Sequence, residues 1–199
     1  QQGDWARAQA SFEAALRWQP DQVDTLLLLG STRERAGDDA QARQHFDRAA
    51  ALAPLDARPR VQIAILMAKA ARWEEAAREI DRAIRLDPRS AEAHVARGKI
   101  QAARGEKHGA LLSFQRAADL APLSFESHYN AGVLANELEG VPQAMPYLIR
   151  AYENRPDAAT ARQLADFIRS LSLASPEAFL LLATADADHG DVDLSLIHI

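Results

Sequence analysis

The sequence of 199 residues predicts an all-α protein in which antiparallel helix pairs stack side by side as a solenoid. Two observations carry this prediction. Proline recurs every 34 residues, at Pro20, Pro54, Pro88, Pro122 and Pro156. Three apolar ladders share that period, and they hold Ala8, Ala42, Ala76, Ala110 and Ala144, then Phe12, Phe46, Ile80, Phe114 and Leu148, then Ala15, Ala49, Ala83, Ala117 and Ala151. Such a period is typical of repeat proteins, in which each unit buries its apolar face against its neighbours.

Each repeat contains two helices. In its second half, a small, a large and a small apolar residue follow one another at +4 and +3, which places them on one face of a helix. The periodic proline then ends that helix. The first half has a stripe of its own, as in Leu26, Leu29 and Gly30, and a turn such as Gly37-Asp38 separates the halves. Each repeat is therefore two antiparallel helices of about 14 residues, each roughly 20 Å long.

The period assigns most of the chain to repeats. The segments are the second helix of an earlier repeat at 1–22, complete repeats at 23–56, 57–90, 91–124 and 125–158, a linking or degenerate helix at 159–175, and the first helix of a further repeat at 176–193. Alternatively, residues 158–189 form one degenerate pair. The last residues, 194–199, resemble the in-frame translation of a transposase adapter used in sequencing libraries, and we expect them to be an artefact. We therefore expect a fragment that is open at both ends.

A helix-turn-helix of 34 residues with a small residue at position 8, alanine at 20 and 27, a Phe-like residue at 24 and proline at 32 resembles the tetratricopeptide repeat. The sequence departs from the family pattern in places. Ala71-Arg72 replaces the usual Gly-Asp turn, and Gly140 stands one position late. Pro142 suits a helix start, whereas Pro146 should weaken or bend that start.

The resemblance implies a right-handed superhelix whose concave face, lined by the first helices, binds a partner through positions 2, 5, 9, 12 and 13. The residues that this assigns to the groove are Leu27, Ser31, Arg58, Val61, Ile65, Glu92, Val95, Lys99, Glu126, Tyr129 and Val133, with Asp24 beside them. Position 5 is apolar in all four repeats, which suits an extended segment or an amphipathic helix of a partner. Equally, position 5 could pack between adjacent first helices. Glutamate at Val95 and Tyr129 together is expected to abolish partner capture and preserve helicity.

Several partners are not expected. Family members that bind the acidic C-termini of heat-shock chaperones need Lys at position 5 and Asn at position 9, and neither is present. The net charge of -5 resides in residues 176–199, which carry five acidic and no basic side chains. The neutral remainder and the strict period disfavour nucleic acid and the 35-residue RNA-binding repeats. No apolar run approaches the roughly 20 residues of a membrane span.

Residue patterns for catalysis or metal binding are lacking. The absence of cysteine excludes disulfides, thiolate zinc sites and a cysteine nucleophile. The six histidines form no zinc pattern, and His94 and His128, at one repeat position, are interpreted as packing residues. The segment from Asp186 to Asp191 resembles a calcium loop but lacks the third acid and the bidentate Glu, so a helix end explains it better. We expect no catalytic residue, metal or cofactor in this segment.

The sequence therefore predicts a protein–protein interaction scaffold that binds a partner peptide or helix in the groove. The alternative is the substrate-positioning arm of a larger enzyme, of sulfotransferase or glycosyltransferase type, whose catalytic domain lies outside the segment. Self-association through uncapped repeat ends is a third possibility. The Ala- and Arg-rich composition suggests a GC-rich bacterial genome. The compartment, cytoplasmic or periplasmic, stays open.

Overall fold

A computed structural model describes residues 22–174, which form α-helices joined by short turns and loops, without a strand. The helices are α1 Val23–Arg35, α2 Asp39–Leu52, α3 Arg58–Lys69, α4 Trp73–Leu86, α5 Ala91–Ala103, α6 Lys107–Leu120, α7 Phe125–Leu138, α8 Val141–Glu153 and α9 Ala158–Ala174. The predicted all-α fold class is confirmed. Polar side chains cap several helix starts: Asp38, Ser90 and Ser124 each accept a backbone N–H from the first turn that follows them.

The chain divides into two compact units, residues 1–100 and 101–199. In the first unit α1 packs on α2, α2 on α3, and α3 on α4. Its apolar core also receives Ala93, Ala96 and Ile100 from α5. In the second unit α6 packs on α7, α7 on α8, and α8 on α9. Within each unit, the helices therefore pack against their sequence neighbours, which is the packing that the period predicts.

The apolar ladders form the core of each pair. In the first pair Ala42, Phe46 and Ala49 are all fully buried. Gly30 on α1 lies directly against the Phe46 ring, because a Cβ built at Gly30 would sit 2.7 Å from Cδ1 of Phe46. Gly132 on α7 faces Leu148 on α8 in the same way. The small residue at position 8 is therefore required by a large residue on the second helix of its own pair.

The turns inside the first three pairs have one geometry. The N–H groups of Asp38, Arg72 and Glu106 each bond to a carbonyl five residues earlier, at 2.9, 2.9 and 2.8 Å. This is the Schellman ending of a helix, in which the residue before the donor takes a left-handed conformation. Gly37 and Gly105 adopt it with φ of 82° and 80°. Ala71 adopts it too, with φ of 56°, and it is the single non-glycine residue among 22–174 with positive φ.

Replacing Ala71 by glycine is expected to raise the free energy of unfolding by about 1 kcal/mol, because glycine removes the steric penalty of the left-handed conformation. The matched reverse change, Gly37→Ala, should lower the free energy of unfolding by a similar amount, because alanine is strained in the left-handed conformation. No atom outside the turn lies near the new Cβ, so a steric clash adds nothing to that strain. Urea unfolding followed by circular dichroism measures both. Equal stability of Ala71→Gly and wild type would show that Ala71 is not strained.

The fourth pair departs from this turn. Its glycine, Gly140, has φ of 100° and directly precedes α8, and its N–H bonds to Ala135 O at 3.0 Å. Pro142 lies in the first turn of α8, as its missing N–H permits. Pro146 lies inside α8 with an exposed ring, and the helix continues through it to Glu153. The weakening of this helix start by Pro146 stays a prediction.

The last described helix, α9, has the burial pattern of a first helix. Its buried residues are Ala161, Leu164, Ala165 and Ile168. The same spacing occurs in α7, where His128, Ala131, Gly132 and Ala135 are buried, together with Ser127. We therefore propose that α9 opens a fifth pair at residue 158. The second helix of the degenerate pair 158–189 and the first helix at 176–193 both concern residues outside the described range.

Several sequence predictions lie outside the described residues. They are the earlier second helix at 1–22 apart from its last residue, the helix at 176–193, the Asp186–Asp191 segment and the adapter-like residues 194–199. The repeat boundaries themselves stay predictions. Within residues 22–174, no helix is long and apolar enough to cross a bilayer.

Candidate partner-binding surface

In the first unit, position 5 of the repeats is mostly a packing position. Val61 is 1% exposed and Val95 is 8% exposed, whereas Leu27 is half-buried. At position 9, Ser31 and Ile65 are half-buried and Lys99 is exposed. Burial of Val61 and Val95 therefore agrees with the alternative in which position 5 packs between helices and does not face a partner. At positions 5 and 9 of this unit, the apolar side chains that remain partly open to a partner are the half-buried Leu27 and Ile65.

The charged residues at position 2 bond to neighbouring helices. Arg58 donates to Asp24 of the preceding repeat at 2.8 Å and to Asp56 at 2.7 Å. The hydrogen bond from Arg58 holds the pKa of Asp56 below its usual value, against the opposing effect of burial. Glu92 accepts a hydrogen bond from Gln62 at 2.8 Å. Asp24, Arg58 and Glu92 are exposed, so these bonds add little stability, but they fix the charges along this edge.

In the second unit, the predicted residue at position 5 is exposed. Tyr129 is 39% exposed, and its ring stacks on that of Phe125 with centroids 5.5 Å apart and an angle of 17°. Glu126 is exposed and Val133 half-buried. Phe125 and Tyr129 are four residues apart on α7, so their rings share one face of the helix.

These two rings form one wall of a pocket of about 280 Å³ between α7 and α9, which we call the aromatic pocket. Its lining consists of Phe125, Tyr129, Thr160, Gln163, Leu164 and Phe167. Three aromatic rings and a leucine make the wall apolar, and Thr160 and Gln163 add a hydroxyl and an amide. A concave apolar site with a few polar groups is the usual form of a binding pocket.

Sequence reasoning found only Tyr129 in this pocket. The sequence contained a signal for Phe125, because an aromatic residue one helical turn before Tyr129 lies on the same face of the helix. It contained no such signal for the residues from α9, since the period loosens after Pro156 and no repeat position could be assigned to them. Only the packing of α9 brings Phe167 to the rings of α7.

The two equivalent histidines have a structural role. His94 and His128 are 5% and 8% exposed. Their Nε2 atoms lie 3.1 Å from Pro88 O and 2.9 Å from Pro122 O. Because a carbonyl oxygen can only accept, each Nε2 carries the proton and donates. Each histidine thus holds the loop before its own helix, as a packing role requires. In the described part of the chain, no three His, Asp or Glu side chains form a group that could hold a metal ion.

The packed helix pairs define a helical-repeat protein, a class of fold that typically serves as an interaction scaffold. The family model described as Tetratricopeptide repeat matches residues 1–57 and 62–125. The chain belongs to the tetratricopeptide repeat family. Members of this family generally serve as non-catalytic scaffolds that bind proteins or peptides.

Solved structures with the same fold are only distantly similar in sequence. The protein TTC0263 of Thermus thermophilus is 22% identical with a TM-score of 0.71, over 82% of this chain and 90% of that one. The structure titled as pilF of Pseudomonas aeruginosa is 16% identical with a TM-score of 0.73, over 96% and 87%. YrrB, described as a TPR protein with an unusual peptide-binding site, is 22% identical with a TM-score of 0.55, over 80% and 82%. No curated protein matches this sequence.

Proposed function

We propose that this protein is an interaction scaffold that holds a segment of a partner protein against α7 and α9. One apolar or aromatic side chain of that segment occupies the aromatic pocket. The observation that carries the proposal is the pocket itself. It has a volume of about 280 Å³, and its lining includes the stacked Phe125 and Tyr129 from α7 and Phe167 from α9. The two rings are partly exposed, so burying their remaining apolar surface under a partner side chain favours binding.

The chemistry of the lining specifies the kind of segment. No lining residue is charged, so a charged side chain would lose its hydration without gaining an ion pair. An aromatic or large aliphatic side chain gains apolar contact with three rings. The hydroxyl of Thr160 and the amide of Gln163 can hydrogen-bond to the backbone on either side of that side chain. A peptide-binding site in a protein of this fold, YrrB, supports the proposal by analogy.

Peptides selected from a random display library on the wild-type protein should share one aromatic or large aliphatic residue. Tyr129→Glu should weaken their binding by about tenfold or more, because a carboxylate replaces the stacked ring in an uncharged pocket. Fluorescence anisotropy of labelled peptides measures the dissociation constants. Phe167→Ala, on the opposite wall, should weaken the same peptides.

The matched control is Leu112→Glu. Leu112 is 66% exposed on α6 of the same unit and lines no part of the pocket. It should leave peptide binding unchanged. A library that yields no peptide, or peptides that Leu112→Glu weakens as much as Tyr129→Glu does, would contradict the proposal. The enzyme-arm alternative and self-association through repeat ends stay predictions.

A further inference from the structure

Three arginines converge on a second pocket, which lies in the first unit and which we call the arginine pocket. It has a volume of about 190 Å³ and is lined by Pro54, Arg60, Arg82, Arg85 and Leu86. Arg60 comes from α3, and Arg82 and Arg85 come from the C-terminal part of α4. Guanidinium groups suit oxyanions because their planar N–H donors match the geometry of carboxylate and phosphate oxygens.

A single acidic side chain organises two of these arginines. Glu79 accepts from Arg60 at 3.0 Å and from Arg82 at 2.5 Å, and its side chain is only 14% exposed. Arg60 is partly buried, at 26% exposure, and Arg82 is more open, at 53%. Glu79 thus orients both guanidinium groups and balances one of their two charges. Two donors held in place before a ligand arrives reduce the entropy lost on binding.

The third arginine adds uncompensated charge. Arg85 is exposed, and its side chain makes no hydrogen bond or ion pair with any residue between 22 and 174. Two acids lie near it in sequence, Asp81 one turn earlier on α4 and Asp87 just after the helix, and neither carboxylate bonds to its guanidinium group. Among the side chains at this small pocket, three guanidinium groups and the carboxylate of Glu79 sum to two positive charges, which the partial negative charge at the C-terminus of α4 offsets in part.

Repeat packing does not require this arrangement. Arg60 stands at position 4, where the other described repeats have Leu26, His94 and His128, all of them buried packing residues. A basic residue in the last turn of α4 is explained by the partial negative charge of a helix C-terminus. That explanation covers Arg85, but it does not cover Arg60, which comes from the neighbouring helix. The departure at position 4 therefore indicates a local role.

We propose that the arginine pocket binds a phosphate monoester or free phosphate. A dianionic phosphate carries close to two negative charges at neutral pH and three acceptor oxygens, which matches the surplus charge and the three guanidinium groups. A single carboxylate would satisfy only half of that charge. The same chemistry could be presented by inorganic phosphate or by a phosphorylated side chain of a partner.

Titration at low ionic strength with inorganic phosphate and, separately, with O-phosphoserine tests this site. Backbone amide shifts of Arg85 and Leu86 in NMR spectra report binding. Arg85→Gln should weaken binding by roughly tenfold, and Arg85→Lys should weaken it less because the charge remains. Arg78→Gln, which removes an exposed arginine of α4 that does not line the pocket, should leave binding unchanged.

The two probes distinguish the sources. Tighter binding of O-phosphoserine indicates a phosphorylated partner, and equal binding indicates the free anion. Failure of both probes to shift these amides would overturn the proposal. Equal losses in Arg85→Gln and Arg78→Gln would also overturn it, because they would show only a general electrostatic attraction. Thermal unfolding of each variant verifies that the fold is kept, and the outcome is independent of the aromatic pocket.

Discussion

Replacing Val61 by glutamate is expected to lower the free energy of unfolding by about 3 kcal/mol or more, because it places an unpaired carboxylate in an apolar core. Val61 is 1% exposed and packs in the core of the first unit with Ala64 and Ala96. Val95, at the same repeat position, is 8% exposed and should respond in the same direction. Denaturant unfolding followed by far-UV circular dichroism measures both changes.

Tyr129→Glu is the comparison that gives this result its meaning. Tyr129 shares position 5 but is 39% exposed, so the carboxylate of a glutamate placed there can remain hydrated. We expect a loss of about 1 kcal/mol or less, mainly from the stacking contact with Phe125. A Val61→Glu protein as stable as Tyr129→Glu would show that position 5 is open to solvent in both. The double variant expected from the sequence, with glutamate at both Val95 and Tyr129, would unfold the protein through the buried Val95. A loss of binding could then not be separated from a loss of structure. Tyr129 alone is therefore the residue to change.

Gly30→Ala should also destabilise the protein, by a net amount of about 1–2 kcal/mol. The new Cβ would lie 2.7 Å from Cδ1 and 2.8 Å from Cζ of Phe46, whose ring is fully buried, so the ring or the helix must shift. Alanine gains about 1 kcal/mol over glycine in a helix interior, so the overpacking must exceed that gain. Thermal and urea unfolding measure the difference.

A second substitution tests the cause. The next repeat places Ala64 at the position of Gly30 and Ile80 at the position of Phe46, and both are fully buried. Gly30→Ala combined with Phe46→Ile reproduces that combination and should recover much of the loss. Gly109→Ala is the comparison, because its Cβ would meet the side-chain amide of Gln101, which accepts a hydrogen bond from Ser113, and not a buried ring. Any loss of stability should therefore be smaller than at Gly30. Additive effects of the two substitutions at Gly30 and Phe46 would contradict direct contact between them.

The helix pairs were predictable because they depend on a pattern that repeats. An alanine ladder at a fixed period identifies the buried face of each second helix, and the prolines mark where each second helix ends. Ala42, Ala76, Ala110 and Ala144 are indeed fully buried. In the sequence, Ala71-Arg72 is recognisable only as a departure from the usual Gly-Asp turn. The residue pattern does not indicate that the turn keeps its geometry there, with Ala71 in the left-handed conformation.

The candidate sites were much less predictable. The resemblance assigned one set of repeat positions to the groove, but residues at one position differ in exposure, from 1% at Val61 to 39% at Tyr129. The exposure of a side chain depends on the size of its neighbours on adjacent helices, and the position in the repeat does not specify that size. The arginine pocket was missed because Arg60 and Arg85 come from different helices and follow no repeated pattern.

By itself, the sequence determined that this protein is a tetratricopeptide repeat array, since the side chains that each pair must bury recur every 34 residues. Local periodicity is enough to specify helices and their pairing, because every contact of that kind lies between near neighbours in the chain. Only the tertiary structure decided which apolar residues stay exposed, and that α9 closes the aromatic pocket against Phe125 and Tyr129. Those features depend on how individual side chains fill the space between helices, and that space exists only after the helices have packed.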